Sequence, residues 1–323
     1  MKASTLNENA KIKLVPGSQA SGKTFASIEY AKAYIKRTGF ACLVVDVKDE
    51  KIFELNAITI KYNPDLNLSR DERANGKQQK INGKTFQNGL KYANKPFIYR
   101  LLCRQQNGDE MTPAEVVEML ITVSKSFQNG LLICEEMNSY FPKSLPDEFR
   151  SFFTNVRKSG VDVILHYQRI GDSYPQIWGN IKSIRLHKTI DSISFRSTKL
   201  KSGDFYEIIQ IAEYIVNTYY DATVQAREKL LSLQNKSKSN VNALCKEFKT
   251  SLGAMFFFVD IDLTRKKIIG FYNESVFKHA VRRYLIRDNY SELTRTMKEH
   301  SMIKDIAIEY LYDKEYYKYA EIK

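Results

Sequence analysis

The stretch that decides the fold lies near the amino end, where residues 11–24 read KIKLVPGSQASGKT. The segment KIKLV predicts a short strand that ends at Pro16 and Gly17. The residues after it fit the phosphate-binding pattern GxxxxGK[ST] in full: Gly17, Ser18, Gln19, Ala20, Ser21, Gly22, Lys23 and Thr24. A helix is expected from about Lys23. Strand, glycine-rich loop and helix in this order predict a phosphate-binding loop.

The chemistry of this loop follows from backbone geometry. Glycines let the backbone wrap around phosphates, and the N–H groups at the helix start point at the anion. Lys23 would reach the β and γ phosphates, and the Thr24 hydroxyl would complete the shell of a Mg²⁺ ion. The predicted cofactors are therefore ATP and Mg²⁺. An ordinary glycine-rich turn with an exposed lysine is the alternative, but it does not explain why all the required residues coincide at this boundary.

Further along the chain, apolar runs rich in β-branched residues alternate with amphipathic stretches. Strands are expected at 41–47, 97–102, 131–134, 161–167 and 184–187. Thr112, Pro113 and Glu115 form a capping box that opens a helix running to Phe127. Strands that alternate with helices imply an α/β fold in which helices flank a mainly parallel central sheet.

The pattern changes near residue 200. We expect a nucleotide-binding core over 1–200, with a polar, basic insertion at 65–96. Residues 201–323 are expected to form a smaller α+β region. It would be largely helical, with a β-hairpin around 263–266.

Two carboxylates follow the buried strand LLIC at 131–134. Phosphate-loop enzymes need an acid at such a strand end to hold Mg²⁺ through water, and often a second acid to orient the attacking water. We assign Glu135 to the metal side and Glu136 to the catalytic base. The first position usually carries Asp, so Glu135 is a departure. Two acids at an exposed strand end are the simpler alternative.

Residues 157–169, RKSGVDVILHYQR, resemble a signature of the FtsK/HerA superfamily of DNA-pumping ATPases: Arg-x-x-Gly, an apolar strand, then Gln-Arg. The resemblance runs from about residue 11 to 195. It implies a phosphate-loop ATPase in which Gln168 senses the γ-phosphate. It also implies an arginine finger that reaches a neighbouring subunit, with Arg185 as first candidate and Arg157 and Arg196 behind it.

Within that superfamily the chain looks most like genome-packaging ATPases of tailless, membrane-containing viruses. This resemblance implies ATP-driven translocation of double-stranded DNA by a homo-oligomeric ring, expected to be a hexamer. Capsid-vertex or membrane proteins are further expected partners, and the host cytoplasm or a virion vertex is the expected location. Three alternatives remain: a Zot-type phage assembly ATPase, a small-molecule kinase and a nucleotide-gated switch. Residues 136–142 resemble the Zot-type ATPases in general style.

Composition limits the other possibilities. Apolar residues make up 43% and charged residues 27%, as in ordinary globular proteins. No transmembrane segment or leader is expected. The 50 basic against 37 acidic residues give a net charge of +13, which suits nucleic acid or another anionic partner. The four cysteines and four histidines lack metal-ligand spacing. The candidates for DNA contact are Arg70, Arg73, Lys77, Lys80, Lys84, Lys91 and Lys95.

Overall fold

The structure is a computed structural model of the 323-residue chain. It describes residues 10–49, 51–61, 96–104, 109–140, 147–154, 156–173, 175–190, 205–233 and 238–323. The basic residues 70–95 and Arg196 lie outside these ranges, so their expected contacts with DNA and with a neighbouring subunit stay predictions.

In the described part of the chain, ten strands form a mainly parallel sheet with flanking helices. The strands are β1 (Ile12–Pro16), β2 (Ala41–Asp46), β3 (Ile58–Lys61), β4 (Ile98–Leu102), β5 (Gly130–Cys134), β6 (Val161–Tyr167), β7 (Ile181–Leu186), β8 (Val259–Asp262), β9 (Lys267–Gly270) and β10 (Ala320–Ile322). The helices are α1 (Lys23–Thr38), α2 (Lys51–Asn56), α3 (Pro113–Ser126), α4 (Asp147–Thr154), α5 (Val156–Ser159), α6 (Pro175–Trp178), α7 (Phe205–Leu231), α8 (Lys238–Met255), α9 (Glu274–Arg287), α10 (Tyr290–Glu299) and α11 (Lys304–Leu311).

The chain divides into two compact units. The first takes the described parts of 1–14, 24–167 and 172–181. Its strand order is β1-β6-β5-β2-β4-β3, and the pairs from β6 to β3 are all parallel. All residues of β2 and β5 are buried, as expected for apolar strands covered on both faces by helices. The carboxyl ends of these strands therefore lie along one edge of the sheet.

The second unit takes residues 15–23 and 168–171 and the described part of 182–323. Its strand order is β1-β7-β8-β9-β10. β8 pairs antiparallel with β7 and with β9, and β10 pairs parallel with β9. The division does not fall at residue 200, because the loop at 17–23 groups with the carboxyl-terminal residues.

Several predicted elements have close counterparts in the structure. β6 spans 161–167 as expected, and the capping box of α3 forms: Thr112 N–H donates to the Glu115 carboxylate at 2.6 Å, and Glu115 N–H donates to the Thr112 hydroxyl. β8 and β9 form the expected hairpin. The helical stretch expected over 203–250 contains two helices, α7 and α8.

Tyrosines near the carboxyl end of the chain belong mostly to the core. Tyr312, Tyr316 and Tyr319 are buried, and Tyr316 packs edge-on against Tyr284 of α9. These rings therefore contribute apolar area to the core. None of the described helices combines the length and the apolar composition that crossing a membrane needs.

Candidate nucleotide site

The phosphate loop, residues 17–24, turns through backbone conformations that few side chains tolerate. Ala20 has φ +56° and Gly22 has φ +81°. A Cβ on Gly17 would lie 2.7 Å from the Cβ of His187 and from the Ser21 hydroxyl. The loop therefore has no room for a side chain at Gly17 and needs glycine at Gly22 for its turn. These are the properties of a loop that presents backbone N–H groups to an anion.

Lys23 begins α1, and only 9% of it is exposed. Its ammonium donates to the carbonyl oxygens of Gly17 at 2.6 Å and Ser18 at 2.8 Å. These bonds hold the cation over the loop. A phosphate bound in the loop would interact both with this positive charge and with the N–H groups at the start of the helix.

The end of β7 holds the loop in shape. His187 N–H donates to the Pro16 carbonyl at 3.1 Å, and Ser18 N–H donates to the Lys188 carbonyl at 2.7 Å. The buried His187 ring donates from Nδ1 to the Ser21 carbonyl at 2.9 Å. The sequence gives no sign of this role, because 166 residues separate His187 from Ser21.

Phe256, which directly follows α8, also supports the loop. A Cβ built on Gly22 would lie 2.7 Å from a ring carbon of Phe256. The next two residues continue this aromatic contact. Phe257 stacks on Tyr219 of α7 with ring centroids 4.0 Å apart, and Phe258 packs on His187 at 5.2 Å. Three consecutive phenylalanines thus connect α7 and α8 to the loop.

The acid strand end, made up of Ser27, Glu135, Glu136 and His166, lies in the first unit. Glu135 follows β5 and is only 6% exposed. Its N–H donates to the Val45 carbonyl at 3.2 Å, and the Tyr140 hydroxyl donates to its carbonyl oxygen at 2.9 Å. Burial raises the pKa of Tyr140 well above its usual value, so the hydroxyl stays protonated and keeps this hydrogen bond.

The side chain of Glu135 is held by a chain of buried polar groups. β5 and β6 run parallel with Cys134 opposite Leu165, so Glu135 and His166 come next on the two strands. His166 Nδ1 lies 2.8 Å from Glu135 Oε2, and its Nε2 lies 2.7 Å from the hydroxyl of Ser27 in α1. Both Ser27 and His166 were missed in the sequence. The sequence holds no signal for this pairing, because it depends on the register between β5 and β6.

Glu136 adopts a left-handed backbone, with φ +46°. Such a conformation is strained for a residue other than glycine, and strain of this kind clusters at functional sites. One carboxylate oxygen lies 2.5 Å from the Lys48 ammonium, and the other accepts from the Ser139 hydroxyl at 3.3 Å. The Glu136 side chain is 14% exposed and the Glu135 side chain is 8% exposed. Glu136 is therefore partly buried and is the more exposed of the two acids.

The loop that carries Lys48 is fixed by a buried ion pair. Arg100 Nε donates to Asp46 at 2.8 Å, and both side chains are at most 3% exposed. Arg100 also donates to Asp49, a second residue with a left-handed backbone. The pair anchors the carboxyl end of β2, from which Lys48 reaches Glu136.

The other expected site residues differ in their surroundings. Gln168 directly follows β6 and is partly buried. Arg157 belongs to α5. Arg185 on β7 is only 9% exposed, donates to both carboxylate oxygens of Asp260 at 3.0 and 2.9 Å, and lies over the Phe258 ring. A finger role for Arg185 would require this pair to open. Arg185 and Arg157 stay predictions in that role.

Within the second unit the loop fits the phosphates of a nucleotide, and within the first unit Glu135 and Thr24 fit a metal ion. The loop is a cradle that side chains at Gly17 and Gly22 would obstruct. Glu135 Oε1 is buried and has no hydrogen-bond partner among the described residues. A buried carboxylate oxygen that lacks a hydrogen-bond partner among the described residues is suited to accept a hydrogen bond from a ligand such as metal-bound water. Thr24, partly buried in the first turn of α1, offers a hydroxyl of the type that completes such a shell.

These features define a class of protein. A phosphate loop joins a strand to a helix, the sheet is mainly parallel, and an acid pair follows its fully buried strand β5. This is the α/β fold of a P-loop nucleoside triphosphatase.

Comparisons with known proteins add structural neighbours. No family model matches the sequence, and no curated protein matches it. The chain is similar to the genome packaging NTPase B204 from Sulfolobus turreted icosahedral virus 2 in complex with AMP. The TM-score is 0.42 at 12% identity, over 80% of this chain and 96% of that chain. The complex of the same protein with ATP-gammaS gives 0.41 at 11% identity, over 80% and 95%.

A second neighbour is EssC (ATPases 2 and 3) from Geobacillus thermodenitrificans. Its TM-score is 0.32 at 12% identity, over 61% of this chain and 35% of that chain. All these TM-scores lie below 0.5.

Proposed function

We propose that the chain is an ATPase that uses hydrolysis to move double-stranded DNA, working as a homo-oligomeric ring, with packaging of a viral genome as its role. The observation that carries the ATPase part is the phosphate loop with the Lys23 ammonium held over it. The partly exposed side chain of Glu136 supports hydrolysis over simple binding, because an attacking water needs a group that accepts its proton.

The roles of the residues follow from their chemistry. Loop N–H groups and Lys23 bind the β and γ phosphates and stabilise the charge that develops on them. Thr24 and Glu135 would hold Mg²⁺, which when bound neutralises phosphate charge. Glu136 orients the attacking water and accepts its proton, exchanging its contact with Lys48 for one with that water. Gln168 would bind a γ-phosphate oxygen or the water through its amide.

The DNA part of the proposal rests on charge and on the sequence signature at 157–169. A net charge of +13 favours a polyanion, and phosphate contacts by lysine and arginine carry no sequence information. A motor that moves along any sequence needs contacts of this kind. The ring is proposed because an arginine supplied by a neighbouring subunit would complete the charge stabilisation around the γ-phosphate.

The test is ATP hydrolysis with and without duplex DNA, with the oligomeric state recorded by light scattering. We expect a ring-sized species whose hydrolysis rises with duplex DNA. Lys23→Ala should reduce kcat by about 10²–10³-fold, the loss typical when one donor to a developing charge is removed. Lys32→Ala is a matched control, because Lys32 is an exposed lysine of the same helix that pairs with Glu29.

Each other result points elsewhere. Hydrolysis that ignores duplex DNA, or that occurs only in a monomer, overturns translocation. Stimulation by single-stranded DNA or a coat protein instead would indicate an assembly ATPase. Transfer of phosphate to a small molecule in place of water would indicate a kinase. Hydrolysis equal in Lys23→Ala and the wild type would overturn the site itself.

A further inference from the structure

We propose that His166 is a positioning residue for the metal-side acid, acting with Ser27 in a buried hydrogen-bond relay, Ser27–His166–Glu135. The relay fixes the Glu135 carboxylate so that Oε2 is bonded inside the protein and Oε1 is left for the metal shell. This inference rests on the proposed role of Glu135 in holding Mg²⁺.

The direction of the hydrogen bonds follows from the groups at the ends. A carboxylate only accepts, so the 2.8 Å contact places the proton on His166 Nδ1, donating to Glu135 Oε2. The ring's Nε2 then accepts from the Ser27 hydroxyl at 2.7 Å. Each donor in the relay meets one acceptor. The tautomer is assigned from this network.

Burial makes the relay costly to break. Ser27 is 1% exposed, His166 0% and Glu135 6%. Polar groups at this depth are stable only when bonded, so each member holds its neighbour in one orientation. Glu135 Oε1 stands apart, because it is buried and bonded to no described residue. This is the carboxylate oxygen that the relay leaves for the metal shell.

The relay also ties the acid to the helix that begins in the phosphate loop. Ser27 lies in α1, one turn after Lys23 and Thr24. The hydroxyl proposed to hold Mg²⁺ and the serine that anchors His166 thus belong to one short rigid stretch. The same relation is known from metal sites in which a carboxylate–histidine contact orients a ligand, and losing such a contact costs about 10–100-fold in metal affinity.

The test separates metal binding from folding with three variants. His166→Phe keeps a ring and removes both hydrogen bonds. His166→Asn keeps an N–H donor close to the position of Nδ1, toward Glu135. Ser27→Ala removes only the far link. The control is Thr223→Val in α7, which loses a buried hydroxyl that bonds the Tyr219 and Ser251 carbonyls, at a place with no proposed metal role.

The first readout is the affinity for a fluorescent ATP analogue, measured once with Mg²⁺ and once with EDTA. The second readout is Mn²⁺ binding in the presence of nucleotide, detected by electron paramagnetic resonance. We expect His166→Phe to lose about 10–100-fold of the metal-dependent affinity and to keep its affinity in EDTA. His166→Asn should lose less than His166→Phe. Ser27→Ala should show a smaller metal-selective loss, and Thr223→Val none.

Three results would overturn the relay. Equal losses with Mg²⁺ and with EDTA would show a general defect of the fold. Equal behaviour of His166→Asn and His166→Phe would show that the donor toward Glu135 is irrelevant. If neither His166 variant folds, the absence of a metal-selective loss in Ser27→Ala decides against it. Wild-type protein that binds no nucleotide would instead refute the proposed function.

Discussion

The phosphate loop and the acid strand end serve one proposed reaction but are built in different ways. The loop consists of backbone groups and one ammonium, all within eight consecutive residues. The acid strand end consists of side chains from α1, β5 and β6 that meet through hydrogen bonds. The loop should therefore be sensitive to added volume and to backbone conformation. The acid strand end should be sensitive to the chemical identity of each side chain.

The largest expected effect separates the two regions. Glu136→Gln keeps the shape of the side chain and removes its basicity, so hydrolysis should fall by about 10²–10⁴-fold while ATP affinity is unchanged. Steady-state kinetics and nucleotide titration measure the two quantities. Glu110→Gln, which removes an exposed carboxylate paired with Arg104, serves as the control. Loss of ATP affinity in Glu136→Gln would mean that the two regions are not separable.

The second effect tests how the strand next to the loop is held. Arg185→Ala removes two hydrogen bonds to Asp260 and the contact with Phe258, and should lower the free energy of unfolding by about 1.5–3 kcal/mol. Urea unfolding measures this loss in the free energy of unfolding. Arg282→Ala, at an exposed pair with Asp305, should cost about 0–1 kcal/mol. A different result would instead identify Arg185 as the arginine finger. In that case Arg185→Ala would keep its stability and lose hydrolysis, and mixing it with Lys23→Ala subunits would restore hydrolysis.

The third effect examines the loop backbone. Gly22→Ala places a side chain at φ +81° and against Phe256, a strain of about 1–3 kcal/mol that should appear mainly as weaker nucleotide binding. Gly39→Ala is a close match, because Gly39 has φ +71° and an added Cβ would meet nothing within 4 Å. It should lower stability and leave nucleotide affinity intact. Equal nucleotide affinity in both variants would contradict the cradle.

The smallest effect lies outside both regions, in the β8–β9 turn. Burial alone would raise the pKa of Asp262, but its hydrogen bonds with Arg265 and Thr264 outweigh burial and lower the pKa below its usual 3.8. This stabilisation is present above pH 3.8 and is lost as the pH falls through the lowered pKa. Asp262→Asn should cost about 0.2–1 kcal/mol at pH 7, since the turn is solvent-screened, and nothing once Asp262 is protonated.

Urea unfolding of Asp262→Asn and the wild type at pH 7 and at pH 2.5 checks this prediction. The difference between the two proteins should shrink at the lower pH. A difference that stays constant with pH would mean that the charge on Asp262 adds nothing to the turn.

Elements set by local pattern were predictable from the sequence. The capping box of α3 and the span of β6 follow from short-range rules on caps and apolar runs. β10 could not be predicted from the sequence, because three residues are too few to show the alternating apolar pattern of a strand. The strand forms through its pairing with β9. In α1, Ile28, Ala31 and Tyr34 are buried, whereas Phe25, which lies at helical spacing from Ile28, is 60% exposed. Tertiary packing decides which stripe of a helix is covered.

The sequence by itself predicts the phosphate loop and the acid pair, because the residues of each are contiguous and local geometry alone brings them together. Only the tertiary structure brought His166 to Glu135 and Ser27, which lie 31 and 139 residues away from it, and His187 to Ser21. The register between β5 and β6 places His166 beside Glu135. The position of β7 next to β1 places His187 beside the phosphate loop. Register is a property of paired strands, so no single segment of sequence contains it.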